Sequence, residues 1–72
     1  MYSWLKTAKL ECTTDAQIEL FEDYYGASFD ATAGQLRSLL TELDRETTLP
    51  APAVEALKKA IRISLNDVYI TR

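Results

Sequence analysis

Leu36, Leu39, Leu40 and Leu43 recur at i, i+3, i+4 and i+7, the spacing that lines one side of an α-helix with apolar side chains. It predicts a helix over 30–46. Asp30 stands where an N-cap belongs, because a carboxylate there accepts from the unsatisfied amides of the first turn. Phe29, one residue earlier, is placed to fold back onto that turn as a hydrophobic staple. Gly34 weakens such a helix by ~1 kcal/mol relative to alanine, too little to cancel a four-leucine face.

A second apolar row follows. Val54, Leu57, Ile61, Leu65 and Val68 keep helical spacing, with Ala53, Ala56 and Ala60 beside them, and predict a helix over 52–70. Glu55 and Lys59 add a favourable i,i+4 pair. The stretch 47–52 reads as the connection. Pro50 offers no amide donor and turns Leu49 away from helical dihedrals, while Pro52 falls in the first turn of the next helix, where a missing N–H is tolerated. Two amphipathic helices so briefly joined should lie antiparallel, apolar faces together.

The row Ile18, Phe21 and Tyr25, flanked by Leu20 and Tyr24, marks a shorter helix over 14–25. Thr14 followed by Gln17 is a capping-box pattern at its start, and Gly26 is a stop signal at its end. Both chain ends leave a choice open. Residues 1–13 fit either a short helix using Trp4, Leu5 and Ala8 or an extended arm. Near the other end, Val68, Tyr69, Ile70 and Thr71 have β-branched and aromatic character, and Asn66 and Asp67 could break the helix, so an extended finish competes with the helix to 70. The expectation is all-α: one domain over 1–72, of three helices, or four if the first segment is helical, built on an antiparallel hairpin.

Composition sharpens this picture. A chain of 72 residues buries only roughly 60% of the surface its unfolded form exposes, so small domains of this kind usually gain support from a disulfide, a metal or self-association. Here the one cysteine, Cys12, cannot form an internal disulfide, and without histidine the common zinc sites lack ligands. Elimination favours a homo-oligomer or a partner surface. No run approaches the ~20 apolar residues of a membrane span, residues 1–6 lack the pattern of a secretory signal, and a lone thiol fits a reducing compartment. These three features point to a cytoplasmic protein.

The net charge is −3, a poor start for binding phosphates. Residues 1–36 carry two bases against six acids, and residues 37–72 carry six against five. The acids of the first half gather. Asp15, Glu19, Glu22 and Asp23 fall at i, i+4, i+7 and i+8 along one helix side, where like charges oppose each other by roughly a few tenths of a kcal/mol per close pair. The functional reading is a docking surface for a basic protein partner. The plain alternative is a solvated face whose acids suit the dipole of a helix N-terminus.

Catalysis finds little support. Histidine, the commonest general base, is absent, and Cys12 has Glu11 and Asp15 as well as Lys9 nearby, so it reads as a small buried hydrophobe or an inert thiol. Gly26 and Gly34 are isolated and make no phosphate loop. Glu42 and Glu46 form an i,i+4 carboxylate pair on the side expected to meet solvent. No acidic spacing matches a calcium loop. The expectation is a non-enzyme with no cofactor and no metal site.

Lys58, Lys59 and Arg62 form a basic cluster on the last helix, a nucleic-acid or charge contact in one reading and a solvated face in the other. Among the aromatics, adjacent Tyr24 and Tyr25 must point apart on a helix. Trp4 with Tyr2, Tyr24 and Tyr69 could build a surface patch, since tryptophan and tyrosine anchor interfaces, or Trp4 could fold the first segment over the hairpin.

Leu49 and Pro50, followed by Val54, Ala60, Ile61, Val68, Tyr69 and Arg72, resemble the closing helix of short phage head–tail connector proteins. The resemblance spans 49–72, implies a structural subunit of a larger assembly, and carries no site residues. The leading expectation is an adaptor or inhibitor that binds another protein through Trp4, Asp15, Glu19, Glu22, Asp23 and Tyr25. A structural subunit, for example of a phage head–tail or virion, comes second, and a DNA-binding regulator using Lys58, Lys59 and Arg62 third.

Overall fold

The computed structural model describes the backbone over residues 3–70 and the side chains over 3–67. Four helices follow one another, α1 (Ser3–Leu10), α2 (Asp15–Ala27), α3 (Ala33–Asp44) and α4 (Ala51–Ile70), with no strand among the described residues. The first segment is therefore a helix rather than an extended arm, with Leu5 and Ala8 buried.

Two reciprocal capping boxes start α2 and α3. At α2 the Gln17 amide donates to Thr14 Oγ1 at 3.2 Å, and the Thr14 amide donates back to Gln17 Oε1 at 3.4 Å, as the sequence pattern predicts. At α3 the same pattern recurs one helix later: the Gln35 amide donates to Thr32 Oγ1 at 3.2 Å, and the Thr32 amide to Gln35 Oε1 at 2.9 Å. Thr32, not Asp30, is thus the N-cap of α3. The physical reason is reciprocity, since the threonine–glutamine pair satisfies two amides where a lone carboxylate satisfies one. Phe29 is not a staple either. It is 68% exposed, with its ring 4.8 Å from that of Tyr25.

Gly26 does not end α2. It has no positive φ, and the helix runs on to Ala27. Ser28 caps it instead, its amide and its hydroxyl both donating to the Tyr25 carbonyl at 3.2 and 2.7 Å. With that carbonyl satisfied, no left-handed residue is needed. Pro50 starts α4 by accepting from the Ala53 and Val54 amides at 3.0 and 3.1 Å. The backbone of α4 stays helical through Ile70, so Asn66 and Asp67 do not break it and no extended finish forms over 68–70. Thr71, and any core role for the Val68 side chain, lie outside the described residues.

α4 is the hub. It packs against α3 most extensively, then α1, then α2. Ala53, Val54, Ala56, Leu57, Ala60 and Ile61 are all buried, and the small alanines let neighbouring backbones approach from more than one side. Leu5, Phe21, Leu36 and Leu43 supply the other helices' share of the core. Each such side chain contributes about 1.5–3 kcal/mol by leaving water. α2 is held on α4 but makes little contact with α3.

Candidate interaction surface

α2 displays its acids outward. Phe21 is the helix's one fully buried hydrophobic side chain, and Asp15, Glu19, Glu22 and Asp23 all lie exposed on the side away from it. Their surroundings differ. The Lys9 ammonium of α1 donates to Glu22 Oε1 at 2.6 Å, an exposed ion pair worth less than ~1 kcal/mol. Asp15, Glu19 and Asp23 take part in no ion pair among the described residues.

Asp23 also borders a groove. Where α2 and α3 make little contact, Leu20 and Tyr24 of α2 face Leu39 of α3 across an open channel, with Asp23 and Glu42 on its edges and a volume of about 290 Å³. The channel continues toward the α2–α3 connection as a section of about 440 Å³ bordered by Ala27, Asp30, Ala31, Gln35, Leu39 and Glu42. The floor is apolar, and every charged residue on the rim is an acid.

The floor is fixed from below. The Tyr24 hydroxyl donates to Glu46 Oε2 at 3.0 Å, and Glu46 Oε1 accepts from the Thr48 amide at 3.0 Å. Burial, then the bond to Glu46, pushes the Tyr24 phenol up to about 12, so it remains a neutral donor. The Thr48 amide first, and the Tyr24 hydroxyl with it, hold the Glu46 carboxyl below its ordinary value. Glu46 is therefore a half-buried structural acceptor rather than a solvent-facing partner of Glu42. Gln17 adds a further tie, its Nε2 donating to the Thr48 carbonyl at 2.9 Å.

Tyr24 and Tyr25 are both half-buried, Tyr24 in the groove and Tyr25 against Phe29. Trp4 lies elsewhere, half-buried against the core, with the Lys59 ammonium 4.4 Å from its ring centroid. This placement folds α1 over α4. A patch joining Trp4 to Tyr2 and Tyr69 falls outside the described residues.

Two cations of α4, Lys58 and Lys59, are engaged within the molecule. Lys58 pairs with Asp44 of α3, its side chain only 15% exposed against 65% for the aspartate. The hydrogen bond from Lys58 holds the Asp44 carboxyl below its ordinary range. Lys59 covers Trp4, while exposed Arg62 borders the cleft beside it. Lys58 thus serves α3 and Lys59 serves α1, which breaks the three-residue cluster into separate contacts. Cys12 is buried, and burial pushes its thiol up against a smaller downward pull from Lys9, which keeps it protonated and a weak nucleophile.

The sequence had placed Leu20 and Tyr24 on a flank of α2. The groove needs Leu39 and Glu42 as well, and their meeting with α2 depends on tertiary packing that periodicity does not encode. No helix of the described residues is long and apolar enough to cross a membrane. No protein family matches the chain, and no curated protein or solved structure matches it either.

Proposed function

We propose that this chain is a non-catalytic protein-interaction module, an adaptor or inhibitor that engages a partner along the outer face of α2 and the groove beside it. One observation carries this reading. The molecule engages several of its cations internally, at Glu22, Asp44 and the Trp4 ring, yet among the described residues Asp15, Glu19 and Asp23 stay exposed without ion pairs, and Asp23 borders an apolar channel. Unneutralised acids on a rim raise the encounter rate with a basic partner, and the apolar floor supplies the burial that holds it. In this reading α3 and α4 act as the scaffold, an antiparallel hairpin against which α2 is displayed.

A second reading, a structural subunit that associates with copies of itself or its neighbours, draws on Leu10, 77% exposed, and Phe29. Sedimentation across a range of concentrations separates the two, since a concentration-independent monomer removes the self-assembling form.

The direct test compares tagged wild-type protein with an Asp15→Lys, Glu19→Lys, Asp23→Lys variant in captures from native extract. A stoichiometric partner retained by wild type and lost by the variant supports the proposal. Equal recovery by both would show that the acidic face takes no part.

A further inference from the structure

We infer that the α2–α3 groove takes one face of a basic amphipathic helix belonging to another protein. The inference rests on the interaction reading above and goes beyond it by naming the occupant. An α-helix with its side chains is ~10–12 Å across, so several turns of one far exceed the channel's sections of about 290 and 440 Å³. One row of its side chains, at i, i+3, i+4 and i+7, is what such a groove receives. Leu20, Tyr24 and Leu39 offer that row an apolar floor, with Ala27 and Ala31 where the channel widens.

Charge then selects among helices. The rim carries Asp23, Asp30 and Glu42, with no lysine or arginine along either section. Lysine or arginine flanking an apolar row meets these carboxylates as the row settles. A neutral or acidic helix would desolvate them without a counter-charge or set like charges against them, which is unfavourable.

A second copy of this chain fits less well. It brings a net charge of −3 against −3, and three of its eight bases, Lys9, Lys58 and Lys59, are already engaged with Glu22, Asp44 and the Trp4 ring. The cleft beside Trp4 is of similar size, about 470 Å³, but its borders mix Glu11 and Glu55 with Lys59 and Arg62. It makes no comparable choice of charge.

The test titrates the full chain, labelled with ¹⁵N, with a synthetic leucine–lysine peptide of about four helical turns and with a control in which glutamate replaces lysine. The expected result is amide shifts at Leu20, Asp23, Ala27, Leu39 and Glu42, weaker binding as salt rises, and no response to the glutamate control. Trp4, the sole tryptophan, is expected to keep its fluorescence because it lies at the other cleft. Asp23→Lys with Glu42→Lys should weaken the peptide by about tenfold and leave the helical circular dichroism unchanged, since both residues are exposed.

Absence of shifts, shifts centred on Trp4 and Lys59, or equal affinity for the glutamate control would overturn the inference. Concentration-dependent shifts at the same amides without peptide would give the groove to a second copy and overturn it as well. If the peptide fails while capture still depends on Asp15 and Glu19, the helix is the wrong occupant and the interaction reading stands. If both fail, the interaction reading falls with it.

Discussion

α2 and α4 are both amphipathic helices with charged outer faces, yet the molecule uses them in opposite ways. α4 buries six apolar residues between Ala53 and Ile61 and directs Lys58 and Lys59 to contacts with α3 and α1. α2 buries Phe21 fully, gains hydrogen-bonded ties through Gln17, Glu22 and Tyr24, and leaves Asp15, Glu19 and Asp23 without ion pairs among the described residues. A helix at the centre of a small fold is surrounded by neighbours, so its polar groups become structural. A helix held along one side keeps a face and an edge available. Charge clusters that look equivalent in a sequence thus acquire different roles from what they face.

The largest expected effects fall on the two helices' anchors. Phe21→Ala should cost about 3–5 kcal/mol and Leu57→Ala about 2–5 kcal/mol, from lost transfer energy and a residual cavity. Denaturant unfolding gives the totals, and residue-resolved amide signals give their distribution. Leu57→Ala should weaken all four helices together, whereas Phe21→Ala should loosen α2 first. Uniform loosening by both would erase the distinction between hub and displayed helix.

Gln17→Ala comes next, at about 1–2 kcal/mol, because it removes half of the capping box and the bond to the Thr48 carbonyl. Gln35→Ala, which lacks such a tie to another helix, should cost less when the two melting temperatures are compared.

Tyr24 and Glu46 give the comparison a pH signature. The phenol is raised from 10.0 to about 12, so its stabilising contribution is complete below pH 10 and is lost as pH climbs from there through about 12. The Glu46 carboxyl is lowered from 4.5, so its contribution is present above that value and fades as pH falls through the lowered one. Thermal melts of wild type and Tyr24→Phe should therefore converge at the alkaline end. A constant gap through that range would remove the hydrogen bond's role.

The smallest stability effect belongs to the exposed acids. Asp15→Lys, Glu19→Lys and Asp23→Lys should each change unfolding free energy by no more than about 0.5 kcal/mol, as surface substitutions usually do. A much larger loss would mean that these residues serve the fold.

Much of the fold was legible because local chemistry decides it. The leucine row of α3, the row of α4 and the Thr14–Gln17 box each act within a few residues. Thr32 and Gln35 spell the same box, but Asp30 and Phe29 drew the start of α3 too early because each satisfies a capping rule singly. Gly26 misled for a related reason: a glycine permits a stop, and Ser28 made one unnecessary. The surface was legible only in part. The outward side of the acids follows from spacing along one helix, whereas Glu22's pairing with Lys9, Lys58's with Asp44, and the approach of Leu39 to Leu20 depend on how helices meet.

The central claim is that partners bind where α2 borders α3. Site-specific photocrosslinking in native extract tests it most directly, with the photoreactive residue at exposed Ala27 in the groove or at Thr41, exposed on α3 but not among the groove-lining residues. The account predicts a discrete protein adduct from Ala27 and none from Thr41. Adducts of equal yield from both, or from Thr41 alone, would contradict it.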